Sequence, residues 1–235
     1  MPLRTGITNY VDPLAISVGG MNTQIKVIGI HADNVAFADV PGYQRRVPVS
    51  TTFIETLAHR GVNEVVDTQV GRLFNTDQPL DLALATEGYF QLLQADGRIH
   101  MTRDGRFKLD KDGYLLSQDN QNVLSASGMP IQLPYIPDSL KRIRVEHDGT
   151  IRIEANPSAN QPAVTVGKIG VASEDGNRLA KVDIRQAHTE HSNVFLHEEY
   201  IAFAVPRRSF QANRQIFLLQ SQTLSKVIQE LGRTQ

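Results

Sequence analysis

From Asp12 to Tyr43 the chain reads DPLAISVGGMNTQIKVIGIHADNVAFADVPGY, in which Leu14, Val18, Met21, Ile25, Ile28, Ala32 and Val35 follow one another in alternating steps of four and three. Such spacing is a heptad seam of about three repeats. Asp12 followed by Pro13 reads as an N-cap with proline at the first helical position, where its missing N–H is not needed, so the helix is predicted to start near Pro13. Gly19, Gly20 and Gly29 each weaken it by about 1 kcal/mol relative to alanine in an exposed helix interior. The helix therefore needs a partner. It is predicted to stop at Asp39-Val40-Pro41-Gly42, where the residue before proline is pushed out of the helical region and glycine permits a turn.

The pattern returns at the other end. Phe203, Phe210, Phe217, Leu224 and Leu231 fall seven residues apart, and Val205, Ala212, Ile216, Leu219, Val227 and Ile228 widen the stripe. Arg207, Arg208, Gln211, Asn213, Arg214, Gln215, Gln220, Gln222 and Lys226 form the polar remainder of an amphipathic helix, suited to solvent or to a second packing surface. Neither terminal helix can bury its stripe alone.

Between about Gly71 and Val182 the period changes to that of strands. Asp-Gly pairs stand at Asp96-Gly97, Asp104-Gly105 and Asp112-Gly113, eight residues apart, with two more at Asp148-Gly149 and Asp175-Gly176. Asp-Gly tolerates the positive backbone angles of tight hairpins, so the spacing predicts an antiparallel meander. The expected strands include Tyr89 to Leu93, Arg106 to Leu109, Tyr114 to Leu116, Arg142 to Glu146, Thr150 to Glu154 and Val164 to Val171, with Tyr89, Phe90, Phe107, Tyr114 and Leu116 facing one core. The fold class is α+β: N- and C-terminal amphipathic helices form a coiled-coil-like layer, with a central antiparallel β-rich body. The expected division is a helical assembly domain of 1–46 plus 190–235, a linker at 47–70 and the β-rich body at 71–189.

Composition narrows the function. With 40% apolar and 21% charged residues in 235 the chain is ordinary globular material. A net charge of -1 offers no basic field for nucleic acid or an anionic membrane. The absence of cysteine removes disulfides, thiolate catalysis and Cys-ligated metals. No stretch of about 18 apolar residues is present, and MPLRTGITNYVDPL lacks the apolar region of a cleaved signal peptide.

Chemistry-bearing clusters are few. His188, Glu190, His191 and His197 are metal-ligating types, but two histidines three apart outside a helix are not the His-Glu-x-x-His arrangement, and the expected reading is surface or junction histidines. Asp110-Lys111-Asp112-Gly113 resembles part of a calcium loop but lacks the first acidic ligand and flanking helices, so a hairpin turn is expected. Adjacent Glu198 and Glu199 diverge by about 100° on a helix and cannot share one reacting bond; both are expected to be solvated. No catalytic, cofactor-binding or metal residue is expected.

Five blocks then carry a resemblance. The run Ala32-Asp33-Asn34-Val35-Ala36-Phe37-Ala38-Asp39-Val40-Pro41-Gly42-Tyr43, the stretch Pro79 to Leu84 with Gly88-Tyr89-Phe90, Thr102 to Phe107 with Asp112-Gly113-Tyr114-Leu115, Glu190 to Val194, and Arg207 to Asn213 resemble, in order, successive motifs of the bacterial flagellar rod and hook axial proteins. The chain is most similar to the FlgG/FlgF-like basal-body rod proteins. The resemblance implies a structural subunit that polymerises helically with itself into the drive shaft of the basal body and carries motor torque to the hook. It implies other rod and hook subunits and the flagellar export apparatus as partners, a periplasmic rod location reached without a cleaved signal, and no nucleic acid, small-molecule substrate or cofactor. The expected assembly interface is Leu14, Val18, Met21, Ile25, Ile28, Asn34, Pro41, Gly42, Phe203, Phe210, Phe217, Leu224 and Leu231, with Phe217→Glu expected to abolish assembly and leave the monomer nearly unaffected. Pro206 departs from the family's helix, which is expected either to kink near Ala202 to Val205 or to begin only at Val205. The alternative functional reading is a secreted, dimeric β-domain binding module. A zinc hydrolase built on the clustered histidines is a third.

Overall fold

Asp12 caps the first helix as expected: its Oδ1 accepts the N–H of Leu14 at 3.0 Å, and α1 runs Pro13–Ala36. The computed structural model describes residues 12–49, 62–157 and 161–233. Residues 50–61 of the expected linker and the outermost parts of the expected helical domain, 1–11 and 234–235, lie outside the described residues. The chain forms two compact units, one of Met1–Ala36, Arg46–Val66 and Phe195–Gln235, the other of Phe37–Arg45 and Asp67–Val194.

In the helical unit, the strands β1 (Arg46–Val49) and β2 (Asn63–Val66) pair antiparallel, and the second helix, α2, spans Leu196–Arg233. At 24 and 38 residues the two helices are about 36 and 57 Å long at a 1.5 Å rise. Since α2 starts at Leu196 and continues through Pro206, a start at Val205 is ruled out. Proline has no N–H to donate to the carbonyl one turn back, at Ala202. Pro206 is itself buried, on the same helix row as Glu199, Phe203 and Phe210, and that burial helps offset the missing bond.

The second unit is β-rich. In chain order it holds β3 (Leu73–Asn75), β4 (Leu82–Leu84), β5 (Tyr89–Leu93), β6 (Ile99–Thr102), β7 (Phe107–Leu109), β8 (Leu115–Ser117) and β9 (Asn122–Val123). A 3-10 turn at Leu140–Arg142 leads to β10 (Ile143–Val145), β11 (Thr150–Ile153), β12 (Val164–Lys168), β13 (Val171–Ala172), β14 (Ile184–Gln186) and β15 (His188–Glu190). Every pairing between these strands is antiparallel. Strand β5 organises the largest sheet: β6 lines one edge, and β13 and β9 share the other.

Four of the five Asp-Gly pairs make the expected turns, with glycine φ of 82° at Gly97, 81° at Gly113, 87° at Gly149 and 78° at Gly176. Asp104-Gly105 does not. There β6 pairs with β5 and β7 with β8, so the chain crosses over instead of folding back. Glycine is needed at 105 for a different reason: a Cβ would run into the Leu82 carbonyl, whose own residue donates its N–H to Gly105 O at 2.9 Å.

The core gathers Leu82, Leu84, Phe90, Leu92, Phe107, Leu115, Val123, Ile143, Ile151, Ile153 and Ile184. Phe90 and Phe107 meet edge to face with centroids 5.2 Å apart. The expected inward set is only partly correct. Tyr89, Tyr114 and Leu116 are half-buried, whereas Leu115 is 3% exposed. With three apolar residues in a row the alternation has no visible phase, and β8 takes the parity that puts Leu115 inward.

Candidate assembly surface

On α1 the residues turned inward are Ser17, Ile30, His31 and Asn34, all buried, with Gly20 and Val27 half-buried. Ser17, Gly20, Val27, His31 and Asn34 fall on a heptad row one residue ahead of the apolar row of Leu14 to Val35. It is this earlier row that meets α2. Ser17 Oγ lies 3.4 Å from Gln220 Oε1, a Cβ on Gly20 would come within 2.6 Å of Asn213 Nδ2, and His31 Nδ1 lies 2.6 Å from Glu199 Oε2. The contacts run 17 to 220, 20 to 213 and 31 to 199, so the helices are antiparallel.

The end of the pair nearest β1 is closed by polar groups. Asn34, with none of its surface exposed, donates from Nδ2 to Glu199 Oε2 at 3.1 Å and to Arg46 O at 2.8 Å, while its Oδ1 accepts the Arg46 N–H at 2.9 Å. Glu199 is likewise fully buried. Its expected solvation is therefore corrected: only Glu198 is exposed. The signal was present in the sequence, because Glu199 precedes Phe203 by one helical turn and Pro206 by seven residues and so belongs to the packed row.

The expected interface residues divide by row. Leu14, Met21 and Ile28 are half-buried beside the polar row, and Val18 and Ile25 are exposed. Phe203, Phe210 and Phe217 are half-buried, whereas Leu224 and Leu231 are 50% and 66% exposed. Also exposed on α2 are Ile201, Val205, Ile216, Leu219, Val227 and Ile228. A helix this apolar on its outer surface is unusual for a chain that stays alone. Tyr200 and Leu218, exposed as well, were missed by the sequence reading, as was Ile201, because they lie off the heptad row.

Pro41, half-buried, and Gly42 belong to the β-rich unit. Gly42 takes φ 71°, where a Cβ would come within 2.5 Å of the Asp104 nitrogen, and its N–H donates to Glu190 O at 2.8 Å. Glu190, expected among surface histidines, is 4% exposed. Its carboxylate accepts both from Arg103 Nε, at 2.9 and 2.8 Å, and from the Gly71 N–H at 2.9 Å. Arg103 turns its other nitrogens to the carbonyls of Gly88 at 2.7 Å and Leu84 at 3.2 Å. His188 and Glu190 lie on β15, paired with β3. Among the described residues no three His, Asp or Glu side chains converge as metal ligands. At the calcium-like turn, Asp110 Oδ1 is taken by the N–H groups of Asp112 and Tyr114 at 3.0 and 2.7 Å.

Residues 83–153, from β4 through β11, match the model of the flagellar hook protein FlgE/F/G D1 domain. Across 97% of this chain and 95% of the relative, the sequence is 24% identical to the flagellar basal-body rod protein FlgG of Bacillus subtilis. It is 26% identical to the rod protein FlgF of Mesorhizobium japonicum across 94% of this chain and 91% of that one. With FlgF of Escherichia coli, identity is 30% across 66% and 61%. The chain belongs to the flagellar basal-body rod protein family. Membership makes it a structural rod protein and not an enzyme. The similarity to FlgG extends across both terminal helices as well as the matched β segment.

Proposed function

We propose that this rod protein polymerises helically with copies of itself through the outer rows of α1 and α2, forming part of the shaft that transmits motor torque to the hook. Other rod and hook subunits adjoin it, and the flagellar export apparatus delivers it without a cleaved signal. In this reading the helical unit carries assembly, and the β-rich unit folds as the body. One observation supports the reading above the rest: α2 leaves Ile201, Val205, Ile216, Leu219, Val227 and Ile228 exposed within one molecule, and a row of that size is matched by copies related by a repeating operator.

The half-burial of Phe217 makes Phe217→Glu disturb the chain's own helix pair, so Val205, 68% exposed, is the better probe. Val205→Glu is expected to leave the melting temperature of the purified monomer unchanged and to eliminate assembled rods seen by electron microscopy of basal bodies. A strain deleted for the gene should stop before the hook and lose motility. Complete hooks in that strain, together with a discrete soluble dimer of the purified protein, would favour the binding-module reading instead.

A further inference from the structure

The row of α1 that faces its own α2 is the less apolar of two adjacent heptad rows. Turning α1 about its axis by one residue, about 100°, would bring Leu14, Val18, Met21, Ile25, Ile28, Ala32 and Val35 onto α2 in place of Ser17, Gly20, Val27, His31 and Asn34. Hydrophobic burial alone favours the turned arrangement. Polar bonding opposes it. In the turned arrangement Ala32 and Val35 would stand where His31 and Asn34 now meet Glu199, and the Arg46 N–H and carbonyl would lose the two bonds Asn34 gives them. A carboxylate and two backbone groups withdrawn from water would then be without these partners, a loss that burial makes costly.

We propose that His31, Asn34 and Glu199 are the pairing code of the helical unit. They select which face α1 turns to its own α2 and fix one antiparallel register, in the way a single buried asparagine sets register in a coiled coil. By holding the polar row inward they leave Val18, Ile25 and Ala32 of the apolar row exposed for contacts with other copies. That last step rests on the polymerisation proposed above; the choice of face within one chain does not.

The chain contains no cysteine, so introduced pairs report the pairing directly. Ser17→Cys with Gln220→Cys reads the observed face, and Val18→Cys with Gln220→Cys reads the turned one, as zero-length disulfides formed in purified monomer under mild oxidation. In an otherwise unchanged chain the first pair should close at least about tenfold faster than the second, because disulfide geometry tolerates little displacement. In a His31→Leu, Asn34→Leu, Glu199→Leu background the helical circular dichroism should remain and the preference should fall to within about twofold. A Glu199→Gln background, which keeps the acceptor oxygen, should retain the preference. Persistence of the preference in the triple variant would overturn the proposal, since shape alone would then choose the face. Loss of helicity in the triple variant would also overturn it, because the cluster would then hold the helices together without choosing between faces. Rod assembly enters none of these readouts, so a failure of the polymerisation reading leaves this test intact.

Discussion

At the scale of single residues, the buried Arg103–Glu190 pair is the least replaceable feature of the β-rich unit. The two side chains are 1% and 2% exposed, and the guanidinium also serves the Gly88 and Leu84 carbonyls. Arg103→Leu leaves a buried carboxylate and is expected to cost about 3 to 5 kcal/mol in urea denaturation; a cost below about 1 kcal/mol would show that Glu190 finds other compensation. Tyr89 makes a pH-dependent contribution. Burial first, and the negative charge of Glu174 second, push its phenol pKa above the usual value, and its hydroxyl donates to Gln44 at 2.7 Å. An acid with a raised folded pKa stabilises fully below its unfolded value, near pH 10, and loses that contribution as pH rises, because the unfolded chain ionises first. Urea midpoints measured between about pH 9 and pH 11 should therefore fall less steeply in Tyr89→Phe than in the unchanged chain. Neither role was legible in the sequence. Arg103 and Glu190 stand 87 residues apart, and nothing local marks them as partners. Glu199 is different, since its place on the Phe203 row was readable and the adjacent Glu198 obscured it.

Elements were legible wherever their period was unambiguous. The Asp12 cap, the heptad steps and four Asp-Gly turns each have a local physical cause, and each stands where it was expected. Phase was harder. Tyr114-Leu115-Leu116 is apolar throughout, so only burial distinguishes its faces: Leu115→Ala should cost about 2 to 5 kcal/mol and Leu116→Ala clearly less, compared by denaturation of the two variants side by side. Equal costs would place both side chains in the core. The same ambiguity affected α1, whose period was evident while the face it turns to α2 was not. The glycines of α1 add a second test. A Cβ on Gly29 would meet no atom within 4 Å, so Gly29→Ala should stabilise the monomer's helical transition by up to about 1 kcal/mol. Gly20 should show less gain, because the added methyl must displace the Asn213 side chain.

For the whole molecule, the order of helix, β-rich body and helix was readable from a change of period, while the pairings that close the body were not. Strand β4 joins β14 and β3 joins β15 across most of the unit's sequence, and backbone pairing over such separations leaves no local trace. The core of the β-rich unit draws only on its own residues. Removing residues 195–235 should therefore leave its denaturation free energy within about 0.5 kcal/mol of the full chain, since distant sites act additively; a larger loss would show that the helical unit supports it. The separation of His31 from Glu199, 168 residues, has a consequence in time. A chain that emerges amino end first presents α1 long before its mate exists, and the penalty of closing so long a loop must be met before any contact between them forms. The body is free to fold meanwhile, because even its most distant pairings, β4 with β14 and β3 with β15, are complete in the chain before α2 begins. The two helices are thus the last to join, and any chain interrupted ahead of Glu199 carries an α1 that never receives its counterpart.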